Sequence, residues 1–234
     1  IEARKKGHSI TLVEGVELSV SYKNKDIHVL GLFLDTNNTN LIKTLDDARK
    51  KREERNKKMA ENFRKSGIPI TLEKLQEYEK DAVITRAHFA MFLVEKGYAK
   101  TNQEAFKTYL SKSSPYYVSR EYFSPKEAID LIHDANGLAF IAHPYLYDFN
   151  LEQIEEMVDD FSDMGIDGIE AVYSLNTPKE EEVIIDIARK KKLLISGGSD
   201  FHCETKPDIK LGVGKGNMKI PYEIYQRLRE KHLS

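Results

Sequence analysis

Apolar and polar residues alternate along the first part of the chain, as is typical of β-strands. In the stretch VEGVELSVSYKNKDIHVLGLFLD the alternation is interrupted at Asn24, a residue type that favours turns. The pattern therefore predicts a β-hairpin. In its first strand Leu18 and Val20 share one face, and Glu17 and Ser19 share the other.

The histidine of the second strand belongs with the polar face of the first. An even-numbered loop places His28 on the same face as Glu17, and a four-residue loop, Ser21–Asn24, would put the two directly opposite each other. Leu30 and Leu32 share that face, so we expect it to be buried. A carboxylate and a histidine there need partners, because burying an isolated charge costs several kcal/mol.

The pattern becomes helical between Asn40 and Lys112. The stretch LIKTLDDARKKREERNKKMAENFRKSG predicts a long charged helix that ends at Gly67. A solvated helix face with i,i+4 ion pairs explains its charges, and a basic nucleic-acid surface is the alternative. Two shorter helices are predicted, one after Thr85 and one at Thr101, where TNQE indicates a capping box.

Helices and strands alternate after Ser124. The strands LAFIA, GIEAVY and LLIS are separated by amphipathic helices, which predicts parallel strands joined by right-handed crossovers. An open doubly wound sheet and a closed barrel both satisfy this pattern. We predict a discontinuous α/β domain of residues 1–39 and 114–234, with residues 40–113 forming a helical insertion.

Composition narrows the class of protein. The 234 residues are 40% hydrophobic and 32% charged, with a net charge of −2, which suits a globular protein without a general basic field. The single cysteine, Cys203, excludes an internal disulfide framework. No apolar stretch approaches the ~20 residues of a membrane span. We expect a cytoplasmic protein with no membrane association and no obligate protein partner.

The first residues predict an incomplete N-terminus. Basic residues precede Gly7 as in the last turn of a helix, and the chain has no initiating methionine. Because domains rarely begin within a helix, we expect further residues before Ile1.

Polar side chains follow three of the predicted strands, at the edge where parallel α/β folds gather functional groups. His143 follows LAFIA, Glu170 lies within GIEAVY and Tyr173 at its end, and Asp200 and His202 follow LLISGGS. Each has an ordinary structural explanation, such as a hydrogen-bonded histidine at a strand end. Together, nitrogen and oxygen donors of this kind suit Zn²⁺, Mn²⁺ or Fe²⁺. The candidate ligands are Glu17, His28, His143, Asp200 and His202.

Two further motifs concern phosphate. In VITRAHFAMFL an N-cap at Thr85 places Arg86 and His88 in the first helical turn, a favourable phosphate cradle, although an exposed helix start is the simpler explanation. The glycine-rich LGVGKGNM, residues 211–218, lacks the spacing of a phosphate loop and predicts a turn.

The segments EGVELS, IHVLG, TRAHFA, FIAHP and SGGSDFH, in this order, resemble the PHP (polymerase and histidinol phosphatase) family. They are most similar to its nucleoside 3′,5′-bisphosphate phosphatases and 5′→3′ exonucleases. The resemblance implies a distorted (β/α)7 TIM-like barrel, N-terminally incomplete here, with the helical insertion covering the active site. It also implies two or three divalent ions (Mn, Zn, Fe or Mg) and phosphoester hydrolysis.

The resemblance implies roles for individual residues. Arg86 and His88 would bind the substrate phosphate. The metal ligands would be Glu17, His28, His143, Asp200 and His202, and all of these except His28 would be catalytic. The family's N-terminal H-x-H and D-H-D motifs are absent from this chain, and Cys203 stands where a glycine usually follows DFH.

The expected function is metal-dependent hydrolysis of phosphate from nucleoside 3′,5′-bisphosphates or from 5′-phosphorylated oligonucleotide ends. Two alternatives remain open: a small-molecule phosphatase of the histidinol-phosphate type, and a non-catalytic nucleic-acid-binding or partner-binding module with a degraded metal site.

Overall fold

The computed structural model of the protein describes residues 10–78, 83–119, 121–203 and 206–234. The helix end predicted at Gly7 lies outside these residues. The chain forms two compact units. One contains the described residues of Ile1–Ile42 together with Tyr122–Ser234, and the other is Lys43–Glu121.

The predicted hairpin is present, as β1 (Gly15–Tyr22) and β2 (Lys25–Leu32). Its loop has two residues, Lys23 and Asn24, with φ angles of 46° and 64°. Left-handed angles at both positions are those of a type I′ turn, which matches the twist of paired strands. The predicted four-residue loop is therefore wrong.

This shorter loop changes the register around the site. Ser19 pairs with His28, and Glu17 pairs with Leu30. Glu17 and His28 do share a face, as predicted, but they are diagonal neighbours rather than directly opposite. The predicted burial of this face is only partial: the side chains of Glu17 and His28 are 35% and 32% exposed, and Leu30 and Leu32 are half-buried. The buried face carries Leu18, Val20, Ile27 and Val29.

Five strands form one open sheet in the order β1-β2-β3-β4-β5, where β3 is Leu138–Ile141, β4 is Gly168–Tyr173 and β5 is Leu194–Gly198. Strand β2 pairs antiparallel with both β1 and β3, whereas β3, β4 and β5 are parallel. The predicted α/β class and the parallel strands are confirmed. The described sheet is mixed and does not close into a barrel.

The helices have the following bounds: α1 Thr39–Lys65, α2 Leu72–Gln76, α3 Arg86–Glu95, α4 Asn102–Thr108, α5 Pro125–Asp134, α6 Leu151–Asp163, α7 Pro178–Lys191 and α8 Tyr222–His232. Capping boxes begin α5, α6 and α7 and satisfy the first backbone N–H groups. The short α2 and the C-terminal α8 were not predicted from the sequence. Within the described parts of the chain, no helix is both long and apolar enough to cross a membrane.

The helical unit has its own apolar core, which includes Phe63, Phe89, Phe92, Leu93 and Leu110. The exposed face of α1 carries ion pairs one turn apart, such as Arg49–Glu53 and Glu61–Lys65, as expected for a solvated helix. The predicted capping box of α4 is only half formed. The Thr101 side chain accepts from Glu104 N–H, but the Glu104 carboxylate accepts from Lys100 N–H instead of Thr101 N–H.

An ion pair links the end of α5 to the start of the parallel sheet. His133 Nε2 lies 2.7 Å from Asp167 Oδ2, which also accepts from the N–H of Ala139 at 2.8 Å. The hydrogen bond to Asp167 raises the pKa of His133 above its ordinary value, although partial burial opposes it.

This ion pair makes the free energy of unfolding depend on pH. Because the folded-state pKa of His133 is raised, its stabilisation is fully present below the unfolded pKa of about 6.5 and is lost as pH rises through the folded pKa. We expect the difference in unfolding free energy between wild type and His133→Gln, measured in urea titrations, to shrink as the pH rises above about 6.5. A difference that stayed constant or grew with pH would contradict this assignment.

Candidate metal centre

Three potential metal ligands converge where β1, β2 and the end of β3 meet. His28 Nδ1 lies 2.8 Å from Glu17 Oε1, and His143 Nε2 lies 3.1 Å from the same oxygen. The two imidazole nitrogens are 3.3 Å apart. Three donor atoms drawn from residues as far apart as 17 and 143 thus form one small triangle.

The sheet register brings these residues together. His28 lies on β2, and His143 follows β3 at the point where Ala142 N–H donates to His28 C=O at 3.1 Å. Tyr147, in a 3-10 helix of Pro144–Tyr147, reinforces this junction. Its hydroxyl accepts from His28 N–H at 2.8 Å and donates to Ala142 C=O at 2.9 Å.

The histidines keep Glu17 ionised. Burial alone would raise the pKa of Glu17, but hydrogen bonds from His143 and His28 and the charge of both rings outweigh it and lower the pKa well below its usual value. The carboxylate is therefore negative at neutral pH, as a ligand for a divalent cation must be.

The dimensions of the triangle suit a metal ion. Ligand atoms about 2.1 Å from a shared ion, at angles between octahedral and tetrahedral, lie roughly 3.0–3.4 Å apart. The observed separations of 2.8, 3.1 and 3.3 Å are close to that range. His143 Nδ1 is also buried and has no hydrogen-bond partner among the described residues. The three residues therefore fit a divalent cation.

Glu170, within β4, holds the backbone of His143. Its Oε2 accepts from the backbone N–H of His143 at 2.9 Å, and both residues are 5% exposed. His143 has a φ angle of 27°, a conformation that non-glycine residues rarely adopt. Burial, together with the charges of Asp200 and Glu17, raises the pKa of Glu170 to about 8.

Asp200 and His202 form a second group after β5. Asp200 Oδ1 lies 3.0 Å from His202 Nδ1, and Oδ2 accepts from the hydroxyl of Tyr173 at 2.9 Å and from Lys206 at 2.5 Å. Among the described residues these two are not part of the Glu17 triangle. Tyr173 joins the two groups, because its ring packs 5.4 Å from that of His143.

Arg86 and His88 belong to the helical unit. Thr85 is the N-cap of α3, as predicted, so Arg86 and His88 occupy its first turn. His88 is only 4% exposed, and its Nδ1 accepts from the N–H of Thr85 at 3.1 Å, completing a capping box. One imidazole nitrogen of His88 therefore already stabilises the start of the helix.

Several residues around the site were not predicted as part of it. Glu170 and Tyr173 were noted only for their position at a strand end, which was the available signal. Tyr147 and Lys206 could not be recognised from the sequence. Nothing in the pattern around them distinguishes a tyrosine that bridges two strands, or a lysine that pairs with Asp200, from other tyrosines and lysines.

Comparison with known proteins identifies relatives, although no family model matches the chain. It is 34% identical over 211 residues to the 5′-3′ exoribonuclease Rnm of Escherichia coli, covering 90% of this chain and 72% of that protein. It is 33% identical over 194 residues to a 3′,5′-nucleoside bisphosphate phosphatase of Chromobacterium violaceum, covering 82% and 68% of the two chains.

Two solved structures are similar. One is an amidohydrolase from Chromobacterium violaceum with bound sulfate and no metal, which matches with a TM-score of 0.81 and 30% identity over 98% of this chain and 79% of that one. The other is described as a metal-dependent phosphoesterase from Bifidobacterium adolescentis, with a TM-score of 0.79 and 28% identity over 97% and 78%. These similarities, with the ordered motifs and the triangle of ligands, show that the chain is a hydrolase and belongs to the PHP family of metal-dependent phosphoesterases.

Proposed function

We propose that this enzyme removes phosphate from nucleoside 3′,5′-bisphosphates or from the 5′-phosphorylated ends of oligonucleotides. The observation that carries the proposal is the convergence of Glu17, His28 and His143 on one point. Relatives named for these two activities cover most of the chain and support this choice of substrate.

The proposed cofactors are two or three divalent ions, Mn²⁺, Zn²⁺, Fe²⁺ or Mg²⁺. Glu17, His28 and His143 would hold one ion, and Asp200 and His202 would hold another. When bound, such ions stabilise negative charge on the phosphoryl oxygens and lower the pKa of an attacking water. The chain's own part is to fix the ligands: Glu170 holds the backbone of His143, and Tyr173 holds Asp200.

Arg86 and His88 are proposed to bind a phosphate of the substrate. The first turn of α3 offers backbone N–H groups and the positive end of the helix dipole, and Arg86 adds a guanidinium fork. His88 is buried and its Nδ1 is used in the capping box, so it would contribute by holding the first turn that presents Arg86 and the backbone N–H groups.

The remaining elements of the proposal concern architecture. We propose that the open sheet is part of a distorted (β/α)7 barrel, with residues 1–39 and 114–234 as the barrel domain. Residues 40–113 would be the insertion that covers the active site. The separate apolar core of the helical unit is consistent with an inserted domain.

A comparison of substrates tests the proposed function. With Mn²⁺ present, we expect kcat/KM for a nucleoside 3′,5′-bisphosphate to exceed that for a simple alkyl phosphate monoester by at least about 100-fold, because a second phosphate adds charge-assisted hydrogen bonds. Equal turnover of the two substrates would favour the histidinol-phosphate type of phosphatase. No turnover of either would favour a non-catalytic module.

Removing the charge of Glu17 tests the metal site without relying on activity. Glu17→Gln keeps the shape of the side chain but loses the anionic ligand, so we expect Mn²⁺ or Zn²⁺ affinity to fall by at least about 100-fold in isothermal titration calorimetry. Glu14→Gln is the matched control, since Glu14 is an exposed carboxylate just before the same strand. Equal affinities of the two variants would remove Glu17 from the metal site.

Truncating Arg86 tests the phosphate role. We expect Arg86→Ala to raise KM for the bisphosphate by about 10–100-fold, the effect of one charge-assisted hydrogen bond, while the bound metal content stays the same. Arg64→Ala removes an exposed arginine elsewhere in the helical unit and is the control. A KM that matched the control would exclude Arg86 from substrate binding.

A further inference from the structure

The loop of residues 206–220, which follows the Asp200 group, is fastened to the rim of the sheet. Lys206 donates to Asp200 Oδ2, and the N–H of Gly212 donates to Ser199 Oγ at 3.2 Å. Ser199 C=O in turn accepts from Ser174 Oγ, after β4, at 3.0 Å. The loop is thus held beside the candidate ligands Asp200 and His202.

The fold of this loop displays apolar side chains. Lys210 and Gly214 exchange backbone hydrogen bonds of 2.8 and 3.0 Å, which closes a tight turn. Gly212 and Gly214 take φ angles of 75° and 58°, which a side chain would strain. Leu211 is left 75% exposed.

Three neighbouring side chains extend the apolar surface. Val213 lies in the same turn, Phe201 lies between Asp200 and His202, and Leu175 follows Ser174. They are 44%, 40% and 44% exposed. An apolar surface of several such residues beside an active site usually marks a binding site.

The same loop is basic. Residues 206–220 contain four lysines and a single aspartate. Lys210, Lys215 and Lys219 are exposed, and within the described structure none of them forms an ion pair. Lysines interleaved with exposed apolar and aromatic side chains suit single-stranded nucleic acid, whose phosphates bind cations and whose base faces stack on flat or apolar groups.

We propose that the strand surface, defined as loop 206–220 with Leu175 and Phe201, binds the nucleotides of a single-stranded oligonucleotide beyond the phosphate that is hydrolysed. The inference rests on the proposed function and adds to it the preference for an oligonucleotide over a mononucleotide. Because the contacts are to phosphates and base faces, RNA and DNA strands bind alike.

Reversing the charge of two loop lysines tests whether the loop binds the phosphates of the oligonucleotide. Binding of a 3′-fluorescein-labelled, 5′-phosphorylated single-stranded RNA is measured by anisotropy in EDTA, so that no turnover occurs. We expect Lys210→Glu with Lys215→Glu to raise Kd by at least about tenfold and to lower the slope of log K against log salt by about 1.4, or roughly 0.7 per lost phosphate contact.

The matched control reverses the same number of charges at the other end of the sheet. Lys190 lies in the last turn of α7, before β5 begins, and Lys231 lies in the last turn of α8, whose His232 ring stacks 5.1 Å from Phe33 after β2. Lys190→Glu with Lys231→Glu should leave the salt slope as in wild type. If the two double variants bind RNA with the same Kd and the same salt slope, the strand surface does not bind RNA and the proposal is wrong.

A second variant tests the apolar part. Leu211→Asn should weaken RNA binding several-fold without changing the salt slope, because it removes stacking area and no charge. Leu233→Asn is the control, since Leu233 is 70% exposed after α8. Melting temperatures check that each variant is folded. Equal affinities of the two leucine variants would exclude Leu211 from the surface.

Turnover measurements distinguish a failure of the strand-surface proposal from a failure of the proposed function. With divalent metal added, the ratio of kcat/KM for the oligonucleotide to that for the bisphosphate should fall about tenfold in the Lys210/Lys215 variant. If wild type turns over neither substrate but the loop variant still loses RNA affinity, the proposed function fails and the strand surface stands. If wild type turns over both and the ratio is unchanged in the variant, the strand surface fails alone.

Discussion

The meeting of two imidazole nitrogens and one carboxylate oxygen at a single point is the constraint on which the site depends. Glu17 comes from β1, His28 from β2 and His143 from the end of β3, so the contact exists only if both strand pairings are in register. A slip of one residue between β1 and β2 would turn either Glu17 or His28 to the buried face. The type I′ turn at Lys23 and Asn24 sets that register, which makes a surface loop part of the functional architecture.

The backbone of His143 has a strained conformation that hydrogen bonds with neighbouring residues stabilise. Its φ angle of 27° costs free energy that its neighbours must offset. Glu170 binds its N–H, and Tyr147 links His28 N–H to Ala142 C=O. Gly198 leaves room for the Glu170 carboxyl group, since a Cβ there would lie 2.9 Å from Oε1. These residues position the ring and are not themselves in the ligand triangle.

Much of the fold and several of the site residues could be predicted from the sequence, because hydrophobic periodicity and the ends of strands are local signals. The alternation around Asn24 predicted the hairpin, and the rule that polar groups collect at carboxyl ends of parallel strands pointed to His143, Glu170 and Asp200. The register of Glu17 with His28 required the loop length, which KNKD leaves ambiguous because Asn24 is compatible with several turns.

Other features depend on tertiary contacts that no local pattern encodes. The degree of burial of the Glu17 face depends on what packs over it. Leu30 and Leu32 are half-buried and pack against the core, whereas Glu17 at the other end of the face is more exposed. The partners of Asp200 come from β4 and from the loop after Cys203, and the Tyr147 hydroxyl bridges two strands far apart in sequence. Such contacts appear only once the sheet order is known.

Three carboxyl groups share this rim, and their different surroundings decide which of them attract a cation. Glu17 is held negative by His28 and His143, and the charge of Asp200 is compensated by Lys206. Among the described residues no cation forms an ion pair with Glu170, which is buried beside two negative neighbours, so its pKa rises to about 8. Its Oε2 accepts from the backbone N–H of His143, so in the described structure Glu170 holds that backbone. Glu17 lies against His28 and His143, and Asp200 lies against His202 and Lys206. These are partners that a cation could replace, which supports the proposal that Glu17 and Asp200 bind metal.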